Sequence, residues 1–404
     1  MHFAHAALQT LAWLLAFAWL FKFLETARGL PKVANLLKPE YDRTPRGVPS
    51  LAVIVPARNE AAKVAACLES LLAQGYANLR IFAVNDRSKD DTGKIMDALA
   101  AANPTRLSVL HIAELPAGWL GKTHAMATAA RQAIGDHDPD YLLFTDADII
   151  FAPDILRRAL AQVVATQADH FVVMPTTLAK SPGEAMLLSF FQVISLWGFR
   201  PWRAGKPGRR DAVGVGAFNL IRTAAYLQLS GFDATPMEIV EDLTLGRRVK
   251  AAGLRQRVAF APGAVTVHWA SGAFGIVNGL TKNMFAVFKF RPERLLIAAT
   301  AFGITCLTPV LLIATPGMRA QGAVAFAAVA GIYAVFGRLN RISPWYAMLF
   351  PLSAALIIYS MLRSMFVTLK NGGVEWRGTF YPLRELRRKT TADERGLNTK
   401  RSGS

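Results

Sequence analysis

The sequence predicts an α/β domain, a mostly parallel sheet flanked by helices, joined to transmembrane helices. Three observations lead there. Short apolar runs of strand character alternate with helical stretches between residues 51 and 174. Polar clusters stand directly after the runs: Pro56–Glu60 (PARNE), Asn85–Ser88 (NDRS) and Asp146–Asp148 (DAD). Loops beyond the carboxyl ends of parallel strands are where such sheets bind ligands. Long apolar segments bracket this region, in a chain of 404 residues that is 52% hydrophobic with a mean hydropathy of +0.27.

Taken in order, Ala6–Phe21 is apolar and ends at Lys22. No small-residue cleavage site follows it, so it reads as an uncleaved signal anchor. Leu51–Val55 (LAVIV) is a strand. Ala61–Gln74 has helical spacing, with Val64, Cys67, Leu68, Leu71 and Leu72 on one face. Leu79–Val84 is a strand, and Asp90 and Asp91 cap a helix over Thr92–Ala102. Leu107–Ile112 is a strand, Lys122–Ile134 a helix and Tyr141–Thr145 a strand. Pro153–Thr166 is a helix with proline at its start, and His170–Met174 a strand. Gly214–Asn219 (GVGAFN) reads as a small-residue loop followed by a helix, and Leu243–Ala252 as a helix. Leu295–Ala314, Gly322–Phe336 and Trp345–Leu369 are further membrane candidates, the last interrupted by Pro351 and Arg363. The expected organisation is an anchor over 1–27, the sheet domain over 28–290, membrane helices over 291–370 and a basic tail over 371–404. From about Thr390 the tail is polar and expected to be disordered.

The formal net charge is +18. Such a balance suits a polyanion or an anionic surface, and the apolar excess favours lipid over nucleic acid. Lys22, Arg28, Lys32, Lys38, Arg43 and Arg46 follow the first span; Lys282, Lys289, Arg291 and Arg294 precede the second. The sheet domain is therefore expected on the cytoplasmic side of a multi-pass inner-membrane protein. The tail is basic too, with Lys370, Arg377, Arg384, Arg387, Arg388 and Lys389, yet four full crossings would carry it outside. One resolution lays Trp345–Leu369 in the interface with Arg363 reaching to its surface. Cys67 and Cys306 offer neither a disulfide framework nor Cys/His metal spacing, which fits a reducing compartment. There is no G-x-G-x-x-G at the first helix, no P-loop (Gly118–Lys122, GWLGK, is too short) and no G-x-S-x-G elbow.

The stretch YLLFTDADIIF carries the most chemistry. Strand alternation would put Asp146 and Asp148 on one side, with Ala147 turned away. Two neighbouring carboxylates repel each other. Mg²⁺ or Mn²⁺ relieves that repulsion and grips a phosphate. The plainer alternative is a strand end whose two aspartates cap the next turn.

VPARNE, LESLLAQGY, NDRSKDDT, TDAD and EDLTLGRRVKAAG, in that order, resemble family 2 glycosyltransferases. The resemblance covers about Leu51–Val277 and implies a GT-A fold that binds a nucleotide sugar. GWLGKTHA and WRGTFY make the chain similar to membrane-anchored members: hopene-associated, carotenoid and ceramide glucosyltransferase-like enzymes. It implies that Asp86 contacts the nucleotide base, with Pro56, Arg58 and Glu60 beside it. Asp146 and Asp148 match the metal and diphosphate motif, Asp148 as the more direct ligand. Asp242 matches the catalytic base. The Q/R-x-x-R-W motif of ceramide glucosyltransferases and processive synthases is absent, and Asn278–Phe290 stands at about that position.

The remaining residues carry two readings each. Lys122, at a helix start, either binds phosphate or is a solvated lysine. His268 is either a further metal ligand or diphosphate donor, or a histidine packed beside Trp269. Glu241 beside Asp242 raises the pKa of one of the two, as suits a general base; the plain reading is an acidic first helical turn. Phe190, Phe191, Trp197, Phe199 and Trp202 around Arg200 and Arg203 are either an interfacial belt where a lipid enters or an aromatic core. The expected activity is metal-dependent, inverting transfer of a hexose from a nucleotide-diphosphate sugar to a lipid hydroxyl. A polysaccharide synthase and a non-catalytic membrane partner with the same fold are the alternatives.

Overall fold

The computed structural model describes residues 2–387 except 207, 210, 282 and 341, so the tail from about Thr390 lies outside the described residues. The chain forms two compact units. One comprises Val33–Leu178, Arg200–His268 and the residues from Glu375 onwards; the other comprises the first 32 residues, Ala179–Phe199 and Trp269–Val374.

The first unit is built on an eight-stranded sheet. Its strands are β1 (Ala34–Asn35), β2 (Leu51–Ala57), β3 (Leu79–Asp86), β4 (Leu107–Ile112), β5 (Tyr141–Phe144), β7 (His170–Met174), β9 (Asn219–Arg222) and β10 (Gln256–Phe260), in the order β1-β10-β7-β9-β5-β2-β3-β4. β9 is antiparallel to β5 and β7; every other pairing is parallel. A three-stranded sheet joins β6 (Ile149–Phe151), β11 (Val265–Val267) and β8 (Thr176–Thr177). Helices α2 (Val64–Leu72), α3 (Thr92–Ala102), α4 (Gly121–His137), α5 (Ile155–Thr166), α7 (Pro201–Ala204), α8 (Thr223–Gln228) and α9 (Glu241–Ala251) complete the unit, with the hairpin strand β13 (Thr379–Pro382) pairing β12 (Gly373–Trp376).

Strand alternation divides the side chains between two cores. Val53, Val55, Ile81, Ala83, Leu143 and Leu220 enter one, with α2 and α5. Ile54, Phe82, Val84, Leu142, Phe144 and Ile221 enter the other, with α4 and α9. Both faces are covered, which is why β2 and β5 read as unbroken apolar runs rather than alternating ones.

Three expectations change. β5 ends at Phe144, and Thr145–Asp148 leave it as a turn, so strand alternation does not set the directions of Asp146 and Asp148. The loop GVGAFN leads into β9, not a helix; NLIR fills the gap between β5 and β7, sending Leu220 and Ile221 to opposite cores. Asp91 occupies the cap position of α3, but its side chain accepts from Lys94 Nζ at 2.9 Å and caps no helix amide; Asp90 accepts from the Thr92 N–H at 3.1 Å instead.

The second unit holds α1 (His2–Gly29), α6 (Pro182–Gly198), α10 (Gly272–Thr281), α11 (Met284–Val287), α12 (Pro292–Ala314), α13 (Arg319–Asn340) and α14 (Phe350–Asn371). Among the described residues, four stretches are long and apolar enough to cross a membrane: Phe3–Lys32, Pro292–Ala314, Arg319–Arg338 and Pro344–Asn371. Lys22 does not end the first. Its ammonium is buried, 2.8 Å from Glu25 and over the ring of Trp197. The aromatic segment divides as well. Phe190 is buried against Phe302 and Phe350, Trp197 is exposed, and Trp202 belongs to the other unit.

Candidate active site

Six loops meet at one edge of the large sheet. They follow β2, β3 and β5, precede β9, and include the approach to α4 and α9. Register explains part of this. Phe144 faces Asn219, so the turn after β5 and the loop before β9 leave the sheet side by side. The Asp146 N–H donates to the Gly216 carbonyl at 3.1 Å, and Thr145 Oγ1 to the Ala217 carbonyl at 2.8 Å. The starts of α4 and α9 are tied through one carbonyl. Pro236 O accepts from the Leu120 N–H at 2.8 Å and from Thr123 Oγ1.

Lys122 occupies the centre. Its Nζ lies 2.6 Å from Asp146 Oδ1 and 2.6 Å from Glu241 Oε1. Desolvation works against this ammonium, but Asp146, then Glu241 and Asp242, outweigh it and raise its pKa. Burial pushes Glu241 up to about 7 against the lowering pull of Lys122, with Asp242 raising it further. Burial likewise raises Asp242, which accepts from its own helix at Leu243 N (2.7 Å) and from Gly216. Three carboxylates thus share one ammonium, and the cluster is short of positive charge.

The small-residue loop is pressed into this cluster. A Cβ on Gly214 would stand 1.9 Å from the Asp242 carbonyl oxygen, and one on Gly216 would stand 2.7 Å from Asp146 Oδ2. At Gly214 the clash is with backbone, so no side chain fits; at Gly216 one would have to displace the Asp146 carboxylate. Behind the loop lies a buried polar clamp. Gln256 accepts from Val213 N at 2.9 Å and donates to Val213 O at 2.8 Å, and its Nε2 meets His170 Nδ1 at 2.7 Å. His170 Nε2 faces Asn219. Burial holds His170 down to about 4, so it stays neutral, accepting at Nδ1 and donating at Nε2.

Asp148 takes a different partner from Asp146: Lys63 Nζ, at 3.0 Å. Val267 faces Ile149 in antiparallel register, so His268 and Asp148 are the next residues along the two chains. Among the described residues no three His, Cys, Asp or Glu side chains already form a metal cage, so Asp146, Asp148 and His268 are not preassembled as one. Two carboxylates on one turn, each held by an ammonium, do suit Mg²⁺ or Mn²⁺, which take one or two carboxylates and fill their remaining positions with phosphate and water.

Asp86 is buried, and both its oxygens are held by Arg87, at 2.7 and 3.0 Å. Pro56 lies in β2 opposite Val84. Arg58 donates to Thr379 Oγ1 at 2.9 Å, and Glu60 pairs with Arg377. Lys63, Arg87, His170 and Gln256 were not singled out in the sequence. The missed signal for Arg87 is its position directly after an aspartate that ends an apolar strand.

A profile described as glycosyltransferase-like family 2 matches residues 49–286, which contain every loop of this edge except the C-terminal hairpin. The chain belongs to glycosyltransferase family 2. Among curated relatives of this family 2 enzyme, a 4,4'-diaponeurosporenoate glycosyltransferase of Staphylococcus haemolyticus is 22% identical over 278 residues, 68% of this chain and 71% of the relative. A Staphylococcus aureus protein of the same name is 25% identical over 199 residues, half the length of either chain. A mannosyltransferase from Pyrobaculum calidifontis, solved in complex with GDP-Man and Mn²⁺, superposes with a TM-score of 0.54 at 18% identity, covering 88% of this chain and 99% of that one. The fold is GT-A.

Proposed function

We propose that this enzyme transfers a hexose from a nucleoside-diphosphate sugar to a lipid hydroxyl, in one inverting step, at the cytoplasmic face of a membrane. The observation that carries the reading is the acidic cluster of Asp146, Glu241 and Asp242 around Lys122, at the carboxyl edge of a GT-A sheet. Lys122, next to the N-terminus of α4, holds the donor diphosphate. Asp242, with a raised pKa beside Glu241, takes the proton of the acceptor hydroxyl as its oxygen attacks the anomeric carbon. The bond from that carbon to the diphosphate breaks, releasing a nucleoside diphosphate and an inverted glycoside. Asp146, Asp148 and His268 are the residues that would hold Mg²⁺ or Mn²⁺. When bound, the ion supplies positive charge to the departing diphosphate. Support comes from the fold neighbour, whose complex contains GDP-Man and Mn²⁺, and from relatives named for 4,4'-diaponeurosporenoate, a carotenoid carboxylate, which favours a lipid acceptor but not specifically its hydroxyl. Pro56, Arg58, Glu60 and Asp86 form the nucleoside end of the donor site.

The membrane arrangement follows from chain connectivity. His268 and Glu375 belong to one unit, which supports an even number of crossings between them. Three apolar helices lie in that interval. We assign α12 and α13 as the crossing pair and lay α14 in the interface. α14 packs on α10, α11 and α6 as well as α12, and its Arg363 is bonded to Thr281.

The test is transfer of label from a panel of nucleoside-diphosphate hexoses into a lipid extract, using the full chain in detergent with Mg²⁺, Mn²⁺ or EDTA. Label should enter the lipid phase with metal, disappear with EDTA, and fall ~10³-fold for Asp242→Asn. Full activity of Asp242→Asn, or undiminished transfer in EDTA, would refute the mechanism.

A further inference from the structure

We propose that the C-terminal hairpin completes the nucleoside end of the donor site, and that Tyr381 and Thr379 are donor-positioning residues. The proposal rests on the transferase reading above. Within five residues the hairpin reaches all three loops that enclose Asp86. Arg377 donates to the Arg58 carbonyl and pairs with the Glu60 carboxylate, both in the loop after β2. Thr379 Oγ1 accepts from Arg58 Nη1 at 2.9 Å. The Tyr381 hydroxyl accepts from the Gly121 N–H at 3.2 Å, the first amide of α4 and the neighbour of Lys122, and it also meets the Arg87 guanidinium. Tyr381 is 5% exposed, so this is a packed contact, not a strand lying loosely on a surface.

The chemistry follows from Asp86. Its two oxygens are both used by Arg87. A carboxylate has about four lone-pair directions, so Arg87 fills two and leaves two through which Asp86 can accept the ring N–H of uracil or guanine. Which of the remaining directions faces a base depends on where Arg87 holds the carboxylate. The Tyr381 hydroxyl in turn holds the guanidinium. Tyr381 therefore acts through Arg87 on what Asp86 accepts, and Thr379 sets the direction of Arg58 at the neighbouring wall. Both act on the nucleoside, not on the sugar or the acceptor.

The experiment uses the full chain in detergent, with UDP and GDP as probes in titration calorimetry, followed by steady-state kinetics on whichever hexose donor is turned over. Tyr381→Phe and Thr379→Val keep the volume and remove one hydroxyl each. The expected result is ~5- to 10-fold weaker nucleoside-diphosphate binding, a changed UDP-to-GDP ratio for Tyr381→Phe, and a raised donor KM. kcat at saturating donor and acceptor KM should hold, and Thr379→Ser should restore what Thr379→Val loses. A variant-free readout is hydrogen exchange in the wild type, where amides of residues 377–381 should slow when the nucleotide is added. Unchanged binding in both variants, or unchanged exchange at saturating nucleotide, overturns the proposal while leaving the transferase reading intact. A wild-type chain that binds no nucleoside diphosphate sinks both.

Discussion

Lys122 Nζ and Glu241 Oε1 stand 2.6 Å apart, joining the first turn of α4 to the first residue of α9. The same nitrogen reaches Asp146, so three segments far apart in the chain depend on one charge.

Lys122→Met should leave Glu241 buried without its counter-charge. Stability should drop by about 3 kcal/mol, read as a lower thermal midpoint of the purified chain. Donor turnover should fall ~10²-fold in kcat/KM, because a donor to the developing diphosphate charge is lost with it. Lys122→Arg should recover part of the stability and less of the activity, since a planar fork does not replace a point charge.

Glu241 is pushed up to about 7 in the folded chain from an ordinary 4.5. A raised carboxyl favours the folded state most where it is protonated. Its contribution is complete below about pH 4.5 and is lost as pH rises through 7. The difference in thermal midpoint between wild type and Glu241→Gln should therefore shift steadily between pH 5 and 7.5, against the wild type. His170, held down to about 4, has the opposite pH dependence and cancels in that difference.

The Asp148–Lys63 pair is partly open to water, with the lysine side chain 43% exposed. A divalent ion bound at Asp148 must displace that ammonium. Lys63→Ala should lower the half-saturating concentration of Mn²⁺ by about 2- to 5-fold, the scale of an exposed ion pair. Asp148→Asn should raise it by roughly 10-fold or more. Metal titrations of donor turnover measure both.

Membrane sidedness can be read by cysteine labelling, because both native thiols are buried. Arg319→Cys, at the turn between α12 and α13, should react with an impermeant maleimide in intact cells. Arg384→Cys, beyond the hairpin, should react only after permeabilisation. Labelling of Arg384→Cys in intact cells would mean that α14 crosses.

Much of the sheet was legible, and the reason is burial. β2, β3 and β5 are covered on both faces, so β2 and β5 appear as unbroken apolar runs and β3 as a run interrupted only by Arg80 before Asn85. Asp86 and Asp146 stood out because each interrupts such a run. β9 did not: four residues, NLIR, carry no period, and only the two flanking strands make them a strand. Lys22 misled because a long apolar stem with one charge looks like a flank, whereas Glu25 and Trp197 let it sit inside. Lys63 fell inside the stretch Ala61–Gln74, where helical spacing marks only the apolar face and says nothing of a lysine's partner. WRGTFY was visible as a motif, but its partners are more than 250 residues away, and no local pattern encodes a contact of that range.

The sheet unit takes its last pieces from beyond the final apolar helix. During synthesis, Arg58, Asp86 and Gly121 leave the ribosome long before Thr379 and Tyr381. On the proposed reading, a nascent chain carries an incomplete nucleoside site until its long apolar helices have been made. If the hairpin holds the donor as proposed, the order of translation becomes a safeguard, since that grip arrives only after the long apolar helices. A fragment cut after His268 for solubility would keep the acidic cluster and lose that grip.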